Sequence, residues 1–147
     1  MLKIRTVRHG TPEYWSTIEL RRRILRVPLG LDFDPAELEK ETRDLHVAAF
    51  SLAHLVGCLV LTPIDADQIK MRQVAVEEGL QGKGIGTELV LFSERLARDR
   101  GYSRMVLSAR DTAIPFYERL KYSVEGEPFE EVTIPHRLMA KILTRPR

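Results

Sequence analysis

The chain has one cysteine, Cys58, in 147 residues. A single thiol excludes an intrachain disulfide and fits a reducing compartment. It lies in the apolar run Val56-Gly57-Cys58-Leu59-Val60-Leu61, where a thiol is far more often core than nucleophile. No apolar stretch is long enough to span a membrane, and no signal-peptide pattern precedes Lys3, so a cytoplasmic protein is expected. Charge of one sign is also scarce. A formal net charge of +2 gives no reason to expect a nucleic-acid partner. The one local excess, Arg21-Arg22-Arg23 with Arg26, reads for the most part as a solvated helix face. The histidines, the cysteine and the aspartates are not clustered at ligand spacings, so no metal site is expected. Repeats, low-complexity segments and linkers are missing too.

Residues 1–147 therefore read as a single domain, large enough for a real core. Lys3 to Arg8 alternates like a strand. Thr11 and Pro12 open a helix through about Leu25, with Trp15, Ile18 and Leu25 near one face. Pro28-Leu29-Gly30 ends it, and Asp34-Pro35 starts a short helix to about Thr42. Strands are predicted at 45–52, 55–61 and 68–77, the first two as a hairpin. Ile85, Leu89, Phe92 and Leu96 make one apolar helical stripe, closed by Arg98, Arg100 and Gly101. A strand at 104–109 and a short helix at 113–120, capped by Asp111 or Thr112, follow. Two strands, 122–128 and 131–143, complete the chain. A helix between strands 68–77 and 104–109 implies a parallel crossover pair, and the rest is antiparallel. The expected fold is α/β: a mixed, mostly antiparallel sheet of about seven strands with helices on both faces.

The most informative stretch runs from Met71 to Thr87. A strand enters the glycine-rich loop Gln81-Gly82-Lys83-Gly84-Ile85-Gly86, which opens directly into the amphipathic helix. Glycines let backbone N–H groups converge, and a helix N-terminus favours an anion; Lys83 adds positive charge. A Walker loop needs G-x-x-x-x-G-K-S/T, but Gly79 to Gly84 is followed by Ile85-Gly86. A dinucleotide fingerprint needs a third glycine where Thr87 stands. A tight turn with glycines for geometry alone is the competing reading.

What remains, Q-x-x-G-x-G after a strand, resembles the acetyl-CoA pyrophosphate loop of the GNAT N-acetyltransferase superfamily. The element order resembles that fold over nearly the whole chain. Ala113-Ile114-Pro115-Phe116-Tyr117-Glu118-Arg119-Leu120-Lys121-Tyr122 is similar to the family's A-x-x-F-Y-E-K-L-G-F helix, with Lys121 where glycine is common. The resemblance implies acetyl-CoA as co-substrate. It implies binding by Val74, Ala75 and Val76, by Gln81, Gly82, Lys83, Gly84, Ile85, Gly86 and Thr87, and by Ala113 and Phe116. Tyr117 would be the proton donor to the leaving thiolate.

Two end motifs resemble the glyphosate N-acetyltransferase-like bacterial branch. These are Glu19-Leu20-Arg21-Arg22-Arg23-Ile24-Leu25-Arg26 and Ile134-Pro135-His136-Arg137-Leu138-Met139-Ala140-Lys141. That resemblance implies His136 as general base and Arg26, Arg72 and Arg110 as the grip on an anionic substrate. The segment Val27 to Phe33 and Ser108 depart from the branch, so the substrate transfers poorly.

The chemistry agrees with these assignments. A protonated amine cannot attack a thioester, and an imidazole titrates near neutral pH. Alternation of Ile134, His136, Leu138 and Ala140 turns His136 inward. A satisfied core histidine is the competing reading. Glu77 and Glu78, at a strand end, are rival bases. Arginine forks suit carboxylate or phosphonate. Arg72 shares a side with Val74 and Val76 unless a bulge intervenes. The expected function is direct acetyl transfer to the primary amine of a small, anionic, amino-acid-like substrate. Acetylation of a protein or peptide, and a non-catalytic acyl-CoA sensor, stay open, as does a homodimer.

Overall fold

A computed structural model describes residues 2–143. They group into two compact units, residues 2–62 with 71–93 and residues 63–70 with 94–143. Seven strands belong to one mixed, mostly antiparallel sheet, the α/β class expected. They are β1 (Leu2–Val7), β2 (Leu45–Ser51), β3 (His54–Pro63), β4 (Gln68–Val76), β5 (Arg104–Arg110), β6 (Ser123–Glu131) and β7 (Ile134–Ile142). The helices are α1 (Pro12–Arg21), α2 (Pro35–Glu39), α3 (Ile85–Asp99) and α4 (Ile114–Arg119).

In the first unit β1 pairs antiparallel with β2, and β2 with β3. The β2–β3 turn is Leu52–Ala53, both at positive φ, the twist a two-residue hairpin needs. Thr11 caps α1 by accepting from Tyr14 N at 3.3 Å, and Pro12 follows it. The α-helix stops at Arg21, and Arg22–Arg26 continue as a π turn. Tyr14 and Leu20 are buried, while Trp15, expected inward, is 50% exposed. Leu20, Cys58 and Ala75 form a small apolar cluster with Ile24, Leu25 and Leu55 packed on it. Burial pushes the Cys58 thiol up to about 12, so it is a core residue and no nucleophile.

The arginine run splits. Arg22 is half-buried and Arg23 exposed, and they pair with Asp32, Glu19 and Glu77. Arg21 instead is 1% exposed and grips Glu41 with two bonds of 2.8 and 2.6 Å.

In the second unit β7 lies between β5 and β6, antiparallel to both. The β6–β7 turn is Val132–Thr133, at φ 45° and 63°, so β6 includes Glu131. The expected break near Pro128 is a register shift inside β6, between Glu125 and Phe129. Branched side chains rarely adopt positive φ, so the sequence hid this turn. Helix α4 lacks the expected Asp111 or Thr112 cap. Those residues make a 3₁₀ turn, Asp111–Ala113, and Ala113 is the N-cap with no side-chain bond.

Candidate active site

Ile85–Asp99 follows the glycine loop directly, as its apolar spacing predicts. Gly82 and Gly84 have φ near +81° and +88°, and a Cβ on either would meet no atom within 4 Å. They are needed for backbone direction and leave open space on the loop. Gln81, Gly82, Lys83 and Gly84 are exposed. Gln81 Nε2 donates to Val76 O at 3.2 Å, tying the loop to the end of β4. Glu88 N bonds Gly84 O at 3.0 Å. The N–H groups of Ile85, Gly86 and Thr87 precede that bond and lack acceptors within the helix. The donors, the dipole and Lys83 fit a pyrophosphate.

The helix start is seated by a residue the motifs did not flag. A Cβ on Gly57 would lie 2.8 Å from Leu89 Cδ1, 3.1 Å from Ile85 Cγ2 and 3.3 Å from Ala75 O. Glycine there lets α3 approach β3 and β4 closely.

β4 carries one irregular residue: Gln73 has φ 57° inside the strand, while Ile69, Met71 and Ala75 stay buried at alternate positions. The Gln73 Oε1 is buried without a hydrogen-bond partner among the described residues. A non-glycine residue in this region carries strain, as residues at functional sites often do. Ala75 is fully buried, and Val74 and Val76 are half-buried. Glu77 N donates to Val56 O at 2.9 Å. The Glu77 carboxylate is held by Arg23 at 2.9 and 3.2 Å, which ties up this rival base; Glu78 is exposed.

His136 is 4% exposed on the central strand of its unit. Its Nδ1 is 2.7 Å from Ile134 O. A carbonyl only accepts, so Nδ1 carries a proton, and in the neutral imidazole the lone pair is on Nε2. Nε2 faces Glu131 Oε2 at 3.6 Å, and the Phe129 ring stacks at 6.1 Å. Arg110 on β5 and Phe129 on β6 are its register partners. Glu131 escaped the sequence reading because its distance to His136 depends on the unexpected turn.

Tyr117, 7% exposed, is the buried residue of α4, with Phe116 half-buried beside it at 4.9 Å between rings. Ala113, its N-cap, is also half-buried. Burial pushes the Tyr117 phenol up to about 12, so it keeps its proton at ordinary pH. The departure at Lys121 is accommodated. Lys121 adopts φ 76°, the left-handed C-cap conformation that favours glycine.

The three arginines are in different circumstances. Arg110 sits opposite His136. Arg72 donates to Thr62 Oγ1 at 3.2 Å and lies 3.6 Å from the nearly buried Asp44 carboxylate. The Arg26 guanidinium lies over the Phe33 ring at 4.7 Å, as does that of Arg21 at 4.8 Å. The segment that departs from the branch, Val27 to Phe33, is thus organised around an aromatic the motifs did not include. Among the described residues no group of His, Cys, Asp or Glu could hold a metal, and no helix is long and apolar enough to cross a membrane.

Comparison with known proteins places this geometry in a family. The model of the acetyltransferase (GNAT) family matches residues 11–122, and the chain belongs to that family. The uncharacterized N-acetyltransferase YjcF of Bacillus subtilis is 33% identical over 73 residues, 49% of this chain and 52% of that protein. The chain spans about half the length of that and two further curated relatives it matches. The uncharacterized N-acetyltransferase YitI of Bacillus subtilis is 24% identical over 154 residues, the full length of both chains. In fold, the chain is similar to a GNAT family acetyltransferase from Elizabethkingia anophelis with acetyl-CoA bound. The TM-score is 0.76 at 20% identity, over 97% of this chain and 98% of that one.

Proposed function

We propose that residues 1–147 act as one acetyltransferase domain that moves acetyl from acetyl-CoA to the primary amine of a small, amino-acid-like substrate. His136 is the base and Tyr117 the acid. The observation that carries this reading is the hydrogen bond of His136 Nδ1 to the Ile134 carbonyl. That bond places a proton on Nδ1, so the neutral form of the imidazole has its lone pair on Nε2.

In the proposed reaction the amine nitrogen attacks the thioester carbonyl carbon, and the C–S bond breaks. Nε2 of His136 takes the amine proton, and Tyr117 donates its O–H to the departing sulfur. A phenol pushed up to about 12 lies above the usual thiol range near 8.5. Full transfer to a free thiolate is therefore uphill, and Tyr117 acts best by donating a hydrogen bond as charge develops on sulfur. The loop Gln81 to Thr87 holds the pyrophosphate, and the β4 backbone at Val74, Ala75 and Val76 takes the pantetheine side. Ala113 and Phe116 flank Tyr117 on the cofactor side.

An anionic end on the substrate is supported most by Arg110, the register partner of His136. Arg72 shares its charge with Asp44, so it would contribute less unless the substrate displaced that carboxylate. Arg26 completes the set that the resemblance to the glyphosate N-acetyltransferase-like branch implies. A cytoplasmic location and a homodimer remain part of the proposal.

Release of free CoA thiol, with a panel of amino acids, aminophosphonates, polyamines and lysine peptides, tests it. Turnover confined to small acidic amines is expected. His136→Ala should lose about 10²–10⁴-fold in kcat and keep its acetyl-CoA affinity. Turnover only with peptides or polyamines would sink the anionic substrate. Acetyl-CoA binding without turnover of any amine would favour a sensor.

A further inference from the structure

Two buried polar groups in the second unit, Glu94 and Tyr122, and the half-buried Lys141 have no part in the chemistry above. Glu94 lies on α3, where the apolar stripe predicts no charge, yet it is 2% exposed. Its Oε2 accepts from the Tyr122 hydroxyl at 2.9 Å, and its Oε1 accepts from Lys141 Nζ at 2.9 Å. Lys141 Nζ also donates to Leu120 O at 2.9 Å and lies 5.6 Å from the Tyr122 ring centroid. Leu120 is the C-cap residue of α4, the six-residue helix that carries Tyr117. Tyr122 N donates to Tyr117 O at 3.0 Å, and the two rings meet edge-on at 5.8 Å.

Burying a carboxylate is costly, and an apolar residue would fill the Glu94 position more cheaply. What the carboxylate adds is direction. A six-residue helix with no side-chain N-cap bond and a left-handed lysine just past its end has little intrinsic stability. Two fixed bonds meet the end of this helix. One is the lysine on its last carbonyl, and the other is the hydroxyl of the residue that leaves it. Both are anchored on one buried carboxylate, and Lys141 belongs to β7, the strand that carries His136. The linkage thus connects the mounting of the acid to that of the base.

We infer that Lys141, Glu94 and Tyr122 are positioning residues that orient α4 and so place the Tyr117 hydroxyl for the transfer. This rests on the reading of Tyr117 as the proton donor. None of the three need touch substrate. The lysine of the terminal P-H-x-x-M-x-K motif then has a definite task.

The test is a double-mutant cycle. Lys141→Met and Tyr122→Phe are each measured alone and on a Tyr117→Phe background. In the wild-type background each should lower kcat about tenfold, as a displacement near 1 Å or less can do. KM for acetyl-CoA should stay within about twofold, because the pyrophosphate loop is not involved. In the Tyr117→Phe background neither should lower kcat further, and Lys141→Arg should restore part of the rate. Equal losses in both backgrounds would mean a general structural role and overturn the inference. So would full activity in both single variants. Should Lys141→Met fail to fold, Tyr122→Phe removes one hydroxyl and no charge, and it carries the same comparison. If Tyr117→Phe is itself fully active, the acid assignment falls and the positioning role with it. If Tyr117→Phe is slow and the effects multiply, only the positioning role falls.

Discussion

Single side chains in this chain owe their chemistry to their surroundings in the fold. His136 was legible as inward-facing from alternation, but the placement of its proton depends on the Ile134 carbonyl. Tyr117 was legible from the helix motif, whereas its resistance to ionisation is a product of burial. The sign is direct: burial disfavours the phenolate, so the phenol keeps its proton well past the usual tyrosine range. Activity should consequently show no alkaline limb from Tyr117 between about pH 8 and 10, measured as kcat at saturating substrate. An alkaline limb in that window that vanishes in Tyr117→Phe would contradict the assignment. Glu77 makes the complementary case. Arg23 holds its carboxylate, so Glu77→Gln should cost less than about threefold in kcat if His136 is the base. A loss as large as that of His136→Ala would move the base to Glu77.

Elements show where local preference and required geometry disagree. Lys121 holds φ 76° just past the C-cap, where glycine is common in the motif it resembles. An L-residue in that conformation costs about 1–2 kcal/mol, part of which glycine's extra chain entropy takes back. Lys121→Gly should therefore raise stability by up to about 1 kcal/mol in urea unfolding. A loss of stability would mean the lysine side chain does something its exposure does not suggest. Gly57 has the opposite character. Its conformation is ordinary, but a methyl group there meets Leu89, Ile85 and the Ala75 carbonyl. Gly57→Ala should displace the start of α3, cost about 1–3 kcal/mol, and weaken acetyl-CoA binding measured by calorimetry. Unchanged acetyl-CoA affinity would show that the seating of α3 is not what orients the loop donors.

For the molecule as a whole, the buried charges of the first unit set how stability depends on pH. Arg21 and Glu41 form a bidentate buried pair, and Tyr14 donates to the same carboxylate at 3.2 Å. Burial pushes the Glu41 carboxyl up, yet the Arg21 hydrogen bonds and charge outweigh it and leave the group below its usual value. Its stabilisation is present above the unfolded value of 4.5 and is lost as pH falls through the folded one. Burial lowers His46, partly opposed by its bond to Glu41 O at 2.9 Å, and its Nδ1 has no partner among the described residues. The unfolded chain therefore binds a proton at His46 that the folded one refuses. Stability should decline as pH falls through the unfolded value of 6.5 toward the lower folded value. His46→Gln should flatten that slope in thermal unfolding between about pH 7 and 5, and an unchanged slope would place its origin elsewhere. Removing one partner, as in Glu41→Ala, should cost about 3–5 kcal/mol, because a guanidinium is left buried and uncompensated.

By itself the sequence determined the α/β class, the strand–loop–helix order around the glycine-rich loop, and the inward side of His136. These rest on local causes: alternation, the 3.6-residue period, glycine's freedom at positive φ, and motif spacing. Only the tertiary structure decided the rest. Arg21 became buried while Arg22 and Arg23 kept contact with solvent, because the facing Glu41 comes from a different element. Gln73 took a positive φ inside a strand, and Val132–Thr133 became a turn, against their own preferences. Glu94 became the anchor of α4 because Tyr122 and Lys141 reach it from distant positions in the chain. The partner of a charge, and the strain a backbone will bear, are properties of what packs against a residue, and a local pattern carries no record of them.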